Sequence, residues 1–208
     1  MKFPLSTGEK TLQLPSLLIN EIDVFVTLPV PKIHQITTMS GAIKNQWGVI
    51  PDNMRLVYHP YFDEMIFAIN KLFDRKMAIA DGKYFLDLSG PMFGAQVKMD
   101  LLLASDDFGG LDTAICQVMG LDIKNIRYLN MGVDTGRVPE ELQLEYSTPP
   151  IQFRKHPFQL QLTLRNRIVR WAFYRPLAIK LFWNSWFADQ FHKVLYAFTG
   201  NPVEEEMA

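Results

Sequence analysis

The chain has one cysteine, Cys116, among its 208 residues. A single thiol excludes an internal disulfide, and it excludes a zinc site or an iron–sulfur cluster built from several thiolates of this chain. We therefore expect a reducing compartment and no iron–sulfur cluster. Cys116 falls on the apolar stripe of a predicted helix, a position typical of an unreactive core thiol.

Long apolar runs are also missing. No stretch of about 18 apolar residues occurs, so no transmembrane helix is predicted, and the first residues lack the apolar core of an export signal. We expect a cytoplasmic protein, with association at a membrane surface as the alternative. The composition is that of a globular protein, because 48% of the residues are hydrophobic and 21% are charged.

Charge is distributed unevenly along the chain. Residues 1–150 carry 13 Lys and Arg against 18 Asp and Glu, whereas residues 151–200 carry 8 against 1. The composition also changes at Thr148-Pro149-Pro150. These shifts predict an α/β domain over residues 1–149, an aromatic and basic helical appendage over 150–200, and an acidic tail over 201–208.

Apolar runs that end in polar residues alternate with segments of helical periodicity. Residues 22–28, 77–80 and 99–104 have the composition of buried strands, whereas 60–73 and 111–119 have apolar side chains at helical spacing. This order predicts an α/β fold with a largely parallel or mixed sheet and flanking helices, plus a C-terminal helical appendage.

Polar residues predict where these elements begin and end. Thr37 or Thr38 is expected to cap a helix that reaches Trp47, and Asp106 or Asp107 to cap the helix over 111–119, which Gly120 would end. Asp81-Gly82 is expected to form a turn. The alternation over 142–146 predicts an edge strand.

Charged and amide side chains follow the predicted strands. In α/β proteins, ligands lie beyond the carboxyl ends of the strands, and two lysines beside an amide suit a carboxylate or a phosphate. The sequence therefore predicts a site for a small anionic molecule. Its expected ligand-binding residues are Lys32, His34, Lys44, Asn45, Asp81 and Asp106.

The same segments leave a second interpretation open. Imidazole and carboxylate are the usual ligands of Zn, Fe, Mn and Ni, so the protein is alternatively a divalent-metal-dependent or redox-associated enzyme. Its metal ligands would be His34, His59, Asp81 and Asp106. The two aspartates also have structural interpretations, because Asp81 precedes a glycine and Asp106 precedes a predicted helix.

The predicted helical appendage is rich in aromatic residues. Residues 160–198 hold three of the four tryptophans, with Arg and Lys between them. These side chains either fill the core of the domain or dock on an anionic membrane surface or a protein partner. The residues expected on the docking face are Trp171, Trp183, Trp186, Phe187 and Phe191. No nucleic-acid partner is expected. The basic residues of the appendage are dispersed along its helices, and the first 150 residues carry a net negative charge.

Several short motifs resemble the domain of unknown function 362 family. They are Ser40-Gly41-Ala42-Ile43-Lys44-Asn45, Gly90-Pro91-Met92-Phe93-Gly94, and Ser105-Asp106 followed by Leu111-Asp112, within roughly residues 15–135. The resemblance implies a protein without a settled activity, in a family whose members sometimes carry a ferredoxin-like cluster segment. This chain lacks the cluster cysteines, and we expect it to lack most of the part that precedes the strand at Ile22.

Overall fold

The computed structural model describes residues 1–52, 55–140, 144–183, 185–188, 190 and 193. Short 3-10 segments cover Gln46–Val49, Arg55–Tyr61, Ile123–Asn125 and Pro150–Phe153. The strands and α-helices are β1 Lys2–Phe3, β2 Lys10–Thr11, α1 Ser16–Asn20, β3 Phe25–Thr27, β4 Lys32–His34, β5 Thr38–Ser40, α2 Ala42–Asn45, α3 Phe62–Asn70, β6 Lys76–Asp87, β7 Ala95–Ser105, α4 Phe108–Met119, α5 Arg127–Asp134, α6 Leu164–Phe173 and α7 Pro176–Phe182.

The central sheet is mixed and has β6 as its longest strand. Strand β6 pairs antiparallel with β7 and parallel with β3 and β4, and β5 pairs antiparallel with β4. Strands β1 and β2 form a separate small sheet. Helices flank the central sheet, so the predicted α/β fold with a mixed sheet is confirmed.

Strands β3 and β4 lie end to end along the same edge of β6. The segment that connects them contains Pro29 and Pro31 and stays hydrogen-bonded to β6. The Pro29 carbonyl accepts the Asp81 N–H, and the Pro31 carbonyl accepts the Leu86 N–H. Proline lacks an N–H but keeps its carbonyl acceptor. Lys32 therefore does not simply follow the strand predicted over 22–28, since it begins a second strand.

The predicted turn at Asp81-Gly82 is also wrong. Strand β6 continues through it to Asp87, with a register shift between Gly82 and Tyr84. A Cβ added to Gly82 would lie 2.1 Å from the Leu101 carbonyl oxygen. Gly82 therefore allows the backbone of β6 to lie close to β7. The chain reverses between Asp87 and Ala95 instead.

The start of α4 agrees with the sequence prediction. The Asp107 carboxylate accepts the N–H groups of Gly109 at 3.0 Å and Gly110 at 3.1 Å. At the other end, Gly120 has a φ of 68°, which is the left-handed cap that glycine adopts without strain. Between them Cys116 is buried, and burial raises the pKa of its thiol well above the usual value, as expected of a core cysteine.

Residues beyond Pro150 pack against the sheet. The Phe158 side chain is buried in the core. The Asp87 carboxylate accepts the Gln159 N–H at 2.8 Å and lies 3.0 Å from His156 Nε2. The division of the chain at residue 149 stays a prediction. None of the described helices combines the length and apolar character needed to cross a bilayer.

Three sequence predictions concern residues that the structure describes incompletely or not at all. Residues 142 and 143 of the predicted edge strand lie outside the described residues, and 144–146 are not in a strand. Phe191 and the acidic tail over 201–208 also lie outside the described residues.

Candidate functional site

His34 ends β4 and shapes the turn that leads to β5. Its Nδ1 accepts the backbone N–H groups of Ile36 at 3.1 Å and Thr37 at 3.3 Å. Because Nδ1 is an acceptor, a neutral ring carries its proton on Nε2 and offers it as a donor. Thr38 closes the turn with a φ of 72°, which is rare for a β-branched residue and typical of strained ligand sites.

The imidazole of His34 is buried among cationic side chains. Burial, and then the surrounding positive groups, lower its pKa from 6.5 to about 2, so the ring is neutral. The groups that act on it after burial are, in decreasing order, Lys44, His59, Lys32 and Arg170.

Lys44 and His59 respond to the same surroundings. Burial, followed by the charges of Lys32 and Arg55, lowers the pKa of Lys44 from 10.5 to about 7. Burial, followed by the charges of Lys44 and Arg55, lowers the pKa of His59 from 6.5 to about 3. Among the described residues, none of the groups that shift these pKa values is a carboxylate. We call this set the cationic cluster: Lys32, His34, Lys44, Arg55, His59 and Arg170.

A buried aspartate on α4 fixes the position of Lys44. The Asp112 carboxylate accepts the N–H of Ala42 at 2.5 Å and the N–H of Ile43 at 3.1 Å, so it caps α2 from across the core. A Cβ on Gly41 would lie 2.1 Å from Asp112 Oδ1, which only glycine avoids. The expected caps Thr37 and Thr38 are therefore wrong, because Thr38 lies in β5 and the cap comes from a distant residue.

His59 lies in an aromatic pocket. Its ring stacks on Phe62 with centroids 5.5 Å apart, and it lies 5.5 Å from the Trp47 ring. Phe173 of α6 contacts it edge-on at 5.1 Å. These contacts hold the ring in place without satisfying its Nδ1, which is buried and has no hydrogen-bond partner in the part of the chain that the structure describes.

Two residues that follow Lys44 also carry buried polar atoms without partners among the described residues. Gln46 has no exposed surface, yet neither atom of its amide makes a hydrogen bond there, and the same holds for Nε1 of Trp47, whose ring contacts His59. An unsatisfied buried polar group costs about 1–3 kcal/mol. Such groups are uncommon in folded proteins and point to a site with a polar function.

The remaining predicted ligand residues lie elsewhere or have structural partners. Asn45 Nδ2 donates to Thr27 Oγ1 at 2.8 Å and so joins α2 to β3. Asp81 is exposed within β6, where its carboxylate accepts the Lys83 N–H at 3.0 Å. Asp106 is exposed between β7 and α4. The structure thus brings Lys32, His34 and Lys44 together, but not the two aspartates.

The predicted metal ligands do not form a group. In the described part of the chain, no three His, Cys, Asp or Glu side chains lie close enough together to hold a metal ion. His34 and His59 do lie near each other, since the charge of His59 affects the pKa of His34. The nearby charges that lower these histidine pKa values are positive and would repel a divalent cation.

Sequence reasoning did not identify Arg55, Arg170 or Asp112 as members or supports of the site. Arg170 lies 132 positions from Thr38, to which it donates a hydrogen bond, so no local pattern connects the two. Asp112 belongs to the Leu111-Asp112 motif, and its distance from Gly41 in the chain hides their contact in the same way. A single sequence gives no signal for pairings of this range.

The comparisons with known proteins agree with the motifs. The family described as Domain of unknown function (DUF362) matches residues 2–117, more than half of the chain. The chain belongs to the DUF362 family. The match begins closer to the amino terminus than the expected resemblance over roughly 15–135. It includes every member of the cationic cluster except Arg170.

One curated relative of this DUF362 chain is a thylakoid-associated protein, sll1697, from Synechocystis sp.. The two are 29% identical over 133 residues, which is 61% of this chain and 41% of that protein. The chain therefore spans less than half the length of that relative. No solved structure matches the chain.

Proposed function

We propose that the cationic cluster binds a small anion that presents a phosphate or carboxylate group. The observation that carries this proposal is the gathering of Lys32, Lys44 and Arg170 around a neutral, buried His34. A bound anion would stabilise the charged form of Lys44, whose protonation is opposed by burial and by the charges of Lys32 and Arg55. Part of the binding free energy would thus come from removing the charge repulsion that the site has when no anion is bound.

The histidine and amide groups of the site suit the same ligand. With Nδ1 committed to the turn, His34 presents its Nε2–H, which is a neutral donor to an oxyanion. The Gln46 amide, two residues after Lys44, is buried without a hydrogen-bond partner among the described residues and adds a donor and an acceptor to this segment. Charge and hydrogen bonding together favour a polar anion over a halide ion.

Sulfate and phosphate titrations at constant ionic strength test this proposal. We expect saturable binding of one anion by the wild-type protein, measured by calorimetry and by the rise in thermal unfolding temperature. Lys44→Met should weaken binding by about tenfold or more, since it removes a charged ligand contact. Lys83→Met changes an exposed lysine of β6 and is the matched control. Equal affinities in the two variants would contradict the proposal.

A second candidate function rests on the outer face of the C-terminal helices. On α6 the exposed apolar residues Leu164, Ile168 and Trp171 recur at helical spacing, and Leu177 on α7 is 82% exposed. Trp186 is 89% exposed. Exposed apolar side chains with Arg and Lys between them are typical of helices that lie on anionic membranes.

We therefore propose that this face docks on an anionic lipid surface. The name of the thylakoid-associated relative supports a membrane location. Vesicle sedimentation tests the idea: wild-type protein should pellet with anionic vesicles and not with zwitterionic ones. The double variant Leu177→Ser with Trp186→Ser should stay in the supernatant. The control Leu102→Ser, at a leucine that is 71% exposed on β7, should pellet as the wild type does. Retained binding by the double variant would exclude this face.

A further inference from the structure

Helix α6 contacts the anion site through one of its faces. Arg170 Nη2 donates to Thr38 Oγ1 at 2.8 Å, and Tyr174 Oη donates to the Ile36 carbonyl at 3.3 Å. Between them in the chain, Phe173 contacts the His59 ring at 5.1 Å. Residues at positions i, i+3 and i+4 share a helix face, so this face lies over the turn from His34 to Thr38.

Arg170 differs from the other two residues in carrying a charge into the site. Its guanidinium has five N–H donors in a planar fork, and one of them bonds to Thr38. The side chain is partly buried, whereas Arg165 and Arg167 on the same helix are exposed. Its positive charge is one of those that lower the pKa of the His34 ring.

We propose that Arg170 is a ligand-binding residue and that α6 completes the anion site. This inference rests on the proposed anion-binding function. The ligand class follows from the composition of the completed site, because Lys32, Lys44 and Arg170 together suit an anion with at least two negative charges. A guanidinium matches the paired oxygens of a phosphate, sulfate or carboxylate group.

The proposal gives the C-terminal region a role in recognition. The family match ends at residue 117, so Arg170 lies in a part of the chain that the family match does not cover. The cations on β4 and α2 would then provide the common part of the site, and α6 would determine which anion the site accepts.

Sulfate titration of the full chain, monitored by calorimetry, tests the role of Arg170. Arg170→Gln should lose about tenfold or more in affinity, and Arg170→Lys should lose less, because it keeps the charge without the fork. The matched control Arg167→Gln changes an exposed arginine of the same helix and should bind within about twofold of the wild type. Urea unfolding of each variant establishes that it is folded.

Thr38→Val separates ligand contact from helix docking. This variant removes the acceptor of the Arg170 hydrogen bond and keeps the guanidinium, so sulfate affinity should stay near that of the wild type. Affinity as low as that of Arg170→Gln would show that Arg170 only holds α6 in place, and would overturn the inference. Wild-type affinity in Arg170→Gln, with binding lost in Lys44→Met, would overturn it and leave the proposed function standing. Absence of sulfate binding by the wild-type protein would overturn both.

Discussion

The β4–α2 segment and the β7–α4 segment both carry polar residues near the ends of strands and helices, but the fold uses them differently. After β7, the Asp107 carboxylate caps α4, and farther along the helix Asp112 caps α2. In β4 and α2, the charged groups of Lys32 and Lys44 lie near the buried His34, and burial with charge repulsion lowers the pKa values of His34 and Lys44. Burial raises the pKa of Asp112 too, to about 7, but its oxygens accept backbone N–H groups, whereas no carboxylate among the described residues offsets the cations.

This difference distinguishes residues that stabilise the fold from candidate binding residues. A residue whose polar atoms are satisfied by the backbone has a structural explanation. The partly buried Lys44 beside other cations has no such explanation, and perturbed groups in clusters of like charge concentrate at binding sites. Variants of the two segments should therefore change stability and binding in opposite ways.

The largest expected effect is the loss of stability in Asp112→Ala. The change removes the acceptor of two buried N–H groups, those of Ala42 and Ile43, and should cost about 3 kcal/mol of unfolding free energy. Urea denaturation measures it. Asp81→Ala removes an exposed carboxylate and is the control, with an expected change within about 0.5 kcal/mol. Similar values for the two variants would contradict the capping role of Asp112.

Lys44→Met should have the opposite effect on stability. Folding lowers the pKa of Lys44 from 10.5 to about 7, so the unfolded chain binds more protons between these pH values. The cost of this group is thus fully present below pH 7 and disappears as the pH rises to about 10.5. At pH 7 the anion-free variant should be more stable than the wild type by about 1–3 kcal/mol, although it binds sulfate poorly. A destabilised variant in urea denaturation would show that Lys44 supports the fold.

The smallest expected effects come from the aspartates before α4. Asp107→Ala removes a helix cap and should cost about 1 kcal/mol. Asp106→Ala changes an exposed side chain and should cost less than about 0.5 kcal/mol. Neither should alter sulfate affinity, because neither carboxylate is among the groups that act on His34, Lys44 or His59. Weaker sulfate binding by Asp106→Ala would add this aspartate to the site, as the sequence predicted.

Local patterns predicted the elements whose causes are local. The spacing of apolar residues identified α3 and α4, and the Asp107 cap and the Gly120 stop are encoded within a few residues of the helix that they bound. The α/β fold and its mixed sheet follow from the order of these elements. The sequence did not predict that β6 continues through Gly82, because that glycine is required by a contact with Leu101 on another strand.

The candidate site was predictable only in part for the same reason. Lys32, His34 and Lys44 were identified because they lie in two nearby segments of the chain. Arg170 reaches them from α6, and its contact with Thr38 depends on how the C-terminal helices pack. Asp81 and Asp106 were included because the sequence predicted a turn and a strand end, respectively, and in the structure both are exposed.

Proton uptake on sulfate binding tests most directly whether the cationic cluster is an anion site. Sulfate keeps its charge across the neutral range, so any proton taken up on binding comes to the protein. With the pKa of Lys44 at about 7 in the free protein, uptake should be small at pH 6 and approach one proton at pH 8. Affinity should fall as the pH rises above 7, and Lys44→Met should abolish the uptake. Calorimetry in buffers of different ionisation enthalpy measures both quantities. Sulfate binding that takes up no proton at pH 8, or no saturable binding at pH 6, would contradict an anion site at Lys44.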